Sequence, residues 1–165
     1  MTLSRLAPLI ALLLACAGAG HTANLVFDCG FENAIGAGTT ADGWDSEGTP
    51  PGGENAVSET RAHSGRFSHQ ITVPATAPLN WYQVHQSIPL LVPGQTVTLS
   101  VYTFTENVRD GGGAYCSLNC FAGVDERIGI FDVPAKATGT ATGWQRQTVT
   151  ATIPPRTNRV VIILT

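Results

Sequence analysis

The sequence predicts an all-β protein, a jelly-roll β-sandwich, from three observations. Several short segments alternate apolar and polar residues with the period of two that a half-buried strand requires. Turn chemistry separates them, as at Val92-Pro93-Gly94-Gln95 and Pro154-Pro155. The composition, with 18 Gly, 10 Pro and 13% charged residues, suits strands and turns better than helices.

The elements follow in order. Residues 25–27 read as a short apolar strand. Residues 30–51, rich in Gly, Thr, Asp and Pro, read as a long surface loop that holds Trp44. Residues 56–60 and 68–73 read as strands, the second stopped by Pro74. Residues 81–88 alternate and end before Pro89. At Pro93-Gly94 the proline presets its φ and the glycine supplies a positive one, so a turn is expected before a long strand over 96–105. Residues 109–113 read as a loop, and 128–133 and 144–153 as strands. Residues 160–164 are almost wholly apolar, which fits a strand buried on both faces or facing a sandwich core.

The first 20 residues read as a signal peptide, cut somewhere in 15–23. Arg5 precedes an apolar run over 6–14, interrupted by Pro8, and small residues follow to Gly20. The run is short of the roughly 20 apolar residues that span a bilayer, and no later segment approaches that length, so no transmembrane segment is expected. Leu13-Leu14-Ala15-Cys16 also resembles a lipoprotein box, which would make Cys16 a lipidation site; ordinary cleavage up to Ala23 is the alternative. The protein is therefore expected to be secreted or held at the cell surface. Residues 24–165 form the single domain, large enough for one core.

Loss of Arg5, the leader's one charged residue, takes the formal charge from −3 to −4. Scattered cations on an acidic chain argue against nucleic acid, which favours a basic face. Beyond Cys16 the cysteines are Cys29, Cys116 and Cys120, an odd number. In an oxidising compartment Cys116 and Cys120 are the expected disulfide, pinning a loop or hairpin. Their spacing, and that of the histidines, does not support zinc. No nucleophile elbow, zincin helix, phosphate loop or EF-hand loop occurs, so the chain is not expected to be an enzyme.

Asn24-Leu25-Val26-Phe27-Asp28-Cys29-Gly30-Phe31-Glu32, with Gly43-Trp44 beyond it, resembles the opening of the CenC-type carbohydrate-binding modules of families 4, 9 and 22. So do His63-Ser64-Gly65, the Gln86-Ser87-Ile88 strand, the Pro93-Gly94 turn and the block from Trp144 to Pro154. The resemblance implies a galactose-binding-like sandwich that binds a polysaccharide or oligosaccharide without cleaving it. A surface adhesion domain lacking sugar affinity, or the accessory module of a glycoside hydrolase, is the alternative. The resemblance implies inward packing for Trp44 and Trp144. It requires no cofactor, but suggests a structural Ca²⁺ ion bound through Glu32. It also implies a further strand beyond Thr165, so the sandwich is expected to lack its last strand.

Strand alternation suggests where a sugar would lie. Val84, Gln86 and Ile88 share the core face of one strand, and Val97, Leu99 and Val101 that of the next. Trp81, Gln83 and His85, with Tyr102, Phe104 and Glu106, then point outward and make one patch if these strands are neighbours. Aromatic rings can stack on the C–H face of a pyranose, while Gln, His and Glu hydrogen-bond its hydroxyls. The alternative site is a loop rim of Trp44, Asp45, Glu47, Tyr115 and Asn119.

Overall fold

The computed structural model describes residues 24–89, 91–109 and 111–165. The expected signal peptide and the expected lipidation site Cys16 lie outside them. Among the described residues there are nine strands and no helix: β1 Asp45–Glu47, β2 Glu54–Ser58, β3 Ser68–Thr72, β4 Gln83–Ile88, β5 Thr96–Thr103, β6 Cys116–Ala122, β7 Glu126–Asp132, β8 Gln145–Thr152 and β9 Arg159–Leu164. No helix there is long and apolar enough to cross a membrane.

All strand pairs are antiparallel. A five-stranded sheet has the order β1-β4-β9-β6-β7, while β2-β3 and β5-β8 form separate two-stranded sheets. The non-sequential order follows from apolar content. β9 is the most apolar strand, and the centre of the large sheet is where both of its edges are paired and both faces covered.

Val84, Ile88, Cys116, Leu118, Cys120, Val160 and Ile162 line the inner face of the large sheet. They pack against Leu99, Val149 and Ala151 of β5 and β8. Trp44 and Phe67 complete the core. Gly94, at φ +84°, makes the expected turn into β5, and Gly94 and Ile153 continue the β5-β8 ladder past the ends of both strands.

Three expectations need correction. Residues 25–27 are not a strand, and Leu25 and Phe27 are exposed. A side chain fastens them instead: Gln86 Oε1 accepts from the Phe27 N–H at 2.8 Å, and Gln86 Nε2 donates to the Phe27 and Gly43 carbonyls at 2.9 and 3.0 Å.

Cys116 and Cys120 do not form a disulfide; both are free and buried on β6. Four residues along a strand span about 13 Å, whereas a disulfide needs Cα atoms within about 7 Å. Cys116, Leu118 and Cys120 alternate into the core as small apolar residues. Burial pushes the Cys116 thiol up to about 11 and raises that of Cys120 as well.

The third correction concerns the outward patch, because β4 and β5 are not neighbours. β4 lies between β1 and β9, and β5 pairs with β8.

Candidate functional site

The two halves of the expected patch therefore lie on different sheets and have different surroundings. Tyr102 stacks on His63 with ring centroids 3.7 Å apart, and His63 meets the edge of Trp144 at 5.7 Å. Phe104 also contacts Trp144, at 5.9 Å, and the Arg61 guanidinium lies 3.9 Å above its ring. Glu106 pairs with Arg61 at 4.0 Å. These contacts stitch the β2-β3 connection to the segments flanking β5 and β8. Trp144 is half-buried among them, while Trp44 packs inward, its Nε1 donating to the Asp28 carbonyl at 3.1 Å.

Trp81, Gln83 and His85 belong to the face of the large sheet turned away from the core. Strand register carries one row across all five strands of that face: Asp45, His85, Ile163, Ser117 and Asp132. The next row on one side places Glu47 beside Gln83, and Thr165 and Tyr115 exchange two backbone hydrogen bonds at 2.9 and 3.0 Å. On the other side run Ser87, Val161, Asn119 and Ile130. Four residues of the alternative rim, Asp45, Glu47, Tyr115 and Asn119, thus join Trp81, Gln83 and His85. Trp44, the fifth, packs inward, and Tyr115 is itself buried against the core cluster.

The centre of this face is buried. Ser117 and Asn119 are each 3% exposed although they point away from the core. Both are short and sit on inner strands, while Asp45, Glu47, Asp132 and Ile130 at the margins are exposed. Asn119 Nδ2 donates to Ser117 Oγ at 3.1 Å, leaving Asn119 Oδ1 without a partner. His85 Nδ1 also lacks one.

Aromatic residues stand at one end of the face. Trp81 is 61% exposed and meets the edge of Tyr115 at a centroid distance of 6.4 Å. Tyr115 is buried, with Lys136 Nζ 3.7 Å from its ring centroid; Lys136 also pairs with Asp132 at 3.7 Å. The chain therefore offers one free aromatic platform here, the Trp81 indole. Sequence reasoning missed Ser117, Asp132, Lys136 and Ile163. For Ser117 the signal was present, since it alternates with Cys116 and Leu118 in a strand that was read as a disulfide loop.

Glu32 does not suit a calcium cage. Its Oε1 accepts from the Arg66 and Phe67 amides, each at 3.0 Å, and its Oε2 from Arg66 at 3.2 Å. Asp28 nearby accepts from the Glu32 and Asn33 amides at 2.7 and 3.2 Å. Calcium needs about six to eight oxygens, and these are engaged with backbone donors. Among the described residues no group of three His, Cys, Asp or Glu could hold a metal ion.

The architecture is an antiparallel β-sandwich. Among solved structures the chain is similar to one described as "Family 16 Carbohydrate Binding Module-2", with a TM-score of 0.57 and 19% identity over 86% of each chain. That likeness establishes the all-β sandwich fold; the matched module is described as family 16, not 4, 9 or 22. No protein-family model matches the sequence, and neither does any curated protein.

Proposed function

We propose that the protein is an exported, non-catalytic carbohydrate-binding module, and that a glycan lies on the outer face of the five-stranded sheet. One observation carries this reading: an exposed indole, Trp81, stands at the edge of Tyr115 and beside the Gln83–Glu47 pair on the outer sheet face. The apolar face of a pyranose can stack on the indole while its hydroxyls reach the neighbouring Gln83 and Glu47 side chains.

A binding role suits the carboxylates better than catalysis. Asp45 and Asp132 sit at opposite margins, four strand spacings or about 19 Å apart. Glycoside cleavage needs its two carboxyl groups about 5–9.5 Å apart on either side of the bond. Asp45 and Glu47 lie side by side on one edge strand, not facing each other from opposite sides.

The test is retention of the leader-free protein on a panel of soluble and insoluble polysaccharides, beside Trp81→Ala. Wild type should bind one glycan class and Trp81→Ala should lose most of that binding while remaining folded by circular dichroism. A folded wild type that binds no glycan would overturn the reading in favour of a protein-interaction domain.

A further inference from the structure

One edge of β5 is bare. The strand bonds to β8 through alternate residues, as antiparallel strands do. The Ile153 N–H sets the phase by donating to the Gln95 carbonyl at 2.9 Å, in the register of that ladder. Val97, Leu99, Val101 and Thr103 therefore direct their backbone groups at β8. Thr96, Thr98, Ser100 and Tyr102 direct theirs the other way, and no backbone hydrogen bond among the described residues reaches them. Folded proteins ordinarily shorten, charge or cover such an edge, yet β5 is eight residues long and carries no charged residue and no proline.

A second observation lies beside that edge. An apolar cleft of about 90 Å³ is lined by Val26, Phe31, Leu99, Val101, Ile162 and Leu164. Ser100 lines it too, although its hydroxyl faces outward to Thr148, so the cleft reaches the bare edge at the middle of β5. The inward-facing Val97 and Val101 are only half-buried. The surroundings admit a single strand. His63 stacks on Tyr102 and Arg61 covers Phe104 at one end, and Val26 and Phe31 stand across the cleft. A second copy of this protein could not bring a folded sheet edge past them.

We infer that this edge is a strand-acceptor site, which takes an extended segment of another polypeptide with apolar residues at alternate positions. The segment's backbone supplies the donors and acceptors that Thr96, Thr98, Ser100 and Tyr102 lack, and its inward side chains fill the cleft. A glycan or a lipid does not match, since neither offers paired N–H and C=O groups repeating every two residues, about 6.7 Å. The site lies on the layer opposite the glycan face and does not depend on that reading.

The probe is a synthetic eight-residue peptide of alternating Val and Thr, the length of β5, added to the protein prepared without residues 1–23. Amide hydrogen exchange is read residue by residue. In the protein alone Thr96, Thr98, Ser100 and Tyr102 should exchange fast, and Val97, Leu99 and Val101 slowly. Saturating peptide should slow the first set about tenfold or more and leave the second unchanged. Labelling of Cys29, which is exposed and lines the same cleft, should slow as well. Ser100→Pro removes a bare N–H that the β8 ladder does not use and should abolish both effects. The wild-type measurements decide the matter if that variant fails to fold.

No change in exchange at the peptide's solubility limit would overturn the inference. So would equal slowing by a peptide interrupted by a central proline, since that is apolar adsorption without strand pairing. Protection of the four amides before any peptide is added would mean that the edge is already covered, by the chain itself if it holds at every concentration and by a second copy if it fades on dilution; either overturns the inference.

Discussion

Gln86, on β4, grips both backbone groups of Phe27, 59 residues earlier in the chain, accepting from its N–H at 2.8 Å and donating to its carbonyl at 2.9 Å. The side-chain amide reproduces the two hydrogen bonds that a neighbouring strand would make. It also explains a polar residue that is 4% exposed on the core face of β4.

Replacement of Gln86 by Leu should therefore destabilise the fold despite adding an apolar side chain. It strands the Phe27 and Gly43 groups, at a cost of about 1–3 kcal/mol. Urea unfolding would measure this, and protease cleavage near residues 24–31 should increase. An unchanged midpoint would show that water replaces Gln86 without cost.

His69 should make stability fall in mild acid. Its Nε2 lies 2.8 Å from Asn55 Oδ1. Asn55 Nδ2 contacts the carbonyls of Glu47, Gly48 and Gln83, so Oδ1 is the acceptor and His69 Nε2 carries the proton. Burial lowers the His69 pKa from 6.5 to about 4. Between those values the unfolded chain takes up a proton that the folded one refuses. Its contribution to stability is thus complete above about pH 6.5 and declines as pH falls toward 4, by up to about 3 kcal/mol. The melting temperature of His69→Gln, which keeps a donor for Asn55, should vary less over this range than that of wild type. Parallel curves would refute the assignment.

Thiol labelling should separate the cysteines. In the folded protein prepared without residues 1–23, Cys29 is exposed and should react quickly. Cys116 and Cys120 are buried with raised pKa values and should react only on unfolding. A Cys116–Cys120 disulfide detected by mass spectrometry would contradict the β6 strand.

Glu32 should stabilise the fold without metal. A Cβ on Gly65, at φ +70°, would come within 2.3 Å of Glu32 Oε1, so only glycine fits between the carboxylate and the loop it holds. Glu32→Ala should cost about 1–3 kcal/mol by leaving the Arg66 and Phe67 amides without their acceptor, whereas a chelator should leave the wild-type melting temperature unchanged. A fall in melting temperature with chelator, reversed by calcium, would restore a metal role.

Much of the fold was legible because strand alternation and turn chemistry are local. The strands ending before Pro74 and Pro89, and the turn at Gly94, fall where neighbouring residues dictate. β6 was not legible, because cysteine behaves equally well as a disulfide partner and as a small buried hydrophobe. The N-terminal segment failed for the opposite reason: Leu25, Val26 and Phe27 have strand-like character, but Gln86 occupies the position of their neighbour.

The candidate site divides in the same way. Local alternation was enough to orient Trp81, Gln83 and His85 outward. It could not say that β4 neighbours β1 and β9 rather than β5, because sheet order depends on contacts between residues far apart in sequence. Tyr102, Phe104 and Glu106 were misplaced by that single step. Asp45, Glu47 and Asn119 were assigned to a separate rim for the same reason.

By itself, the sequence determined an all-β chain, most of its strands and turns, and which side chains on β4 and β5 face the core, since a period of two and the geometry of Pro and Gly are written in consecutive residues. Only the tertiary structure decided which strands adjoin, which cysteines stay apart and which polar groups share one sheet face, because those outcomes depend on burying the apolar β9 at the centre of a sheet.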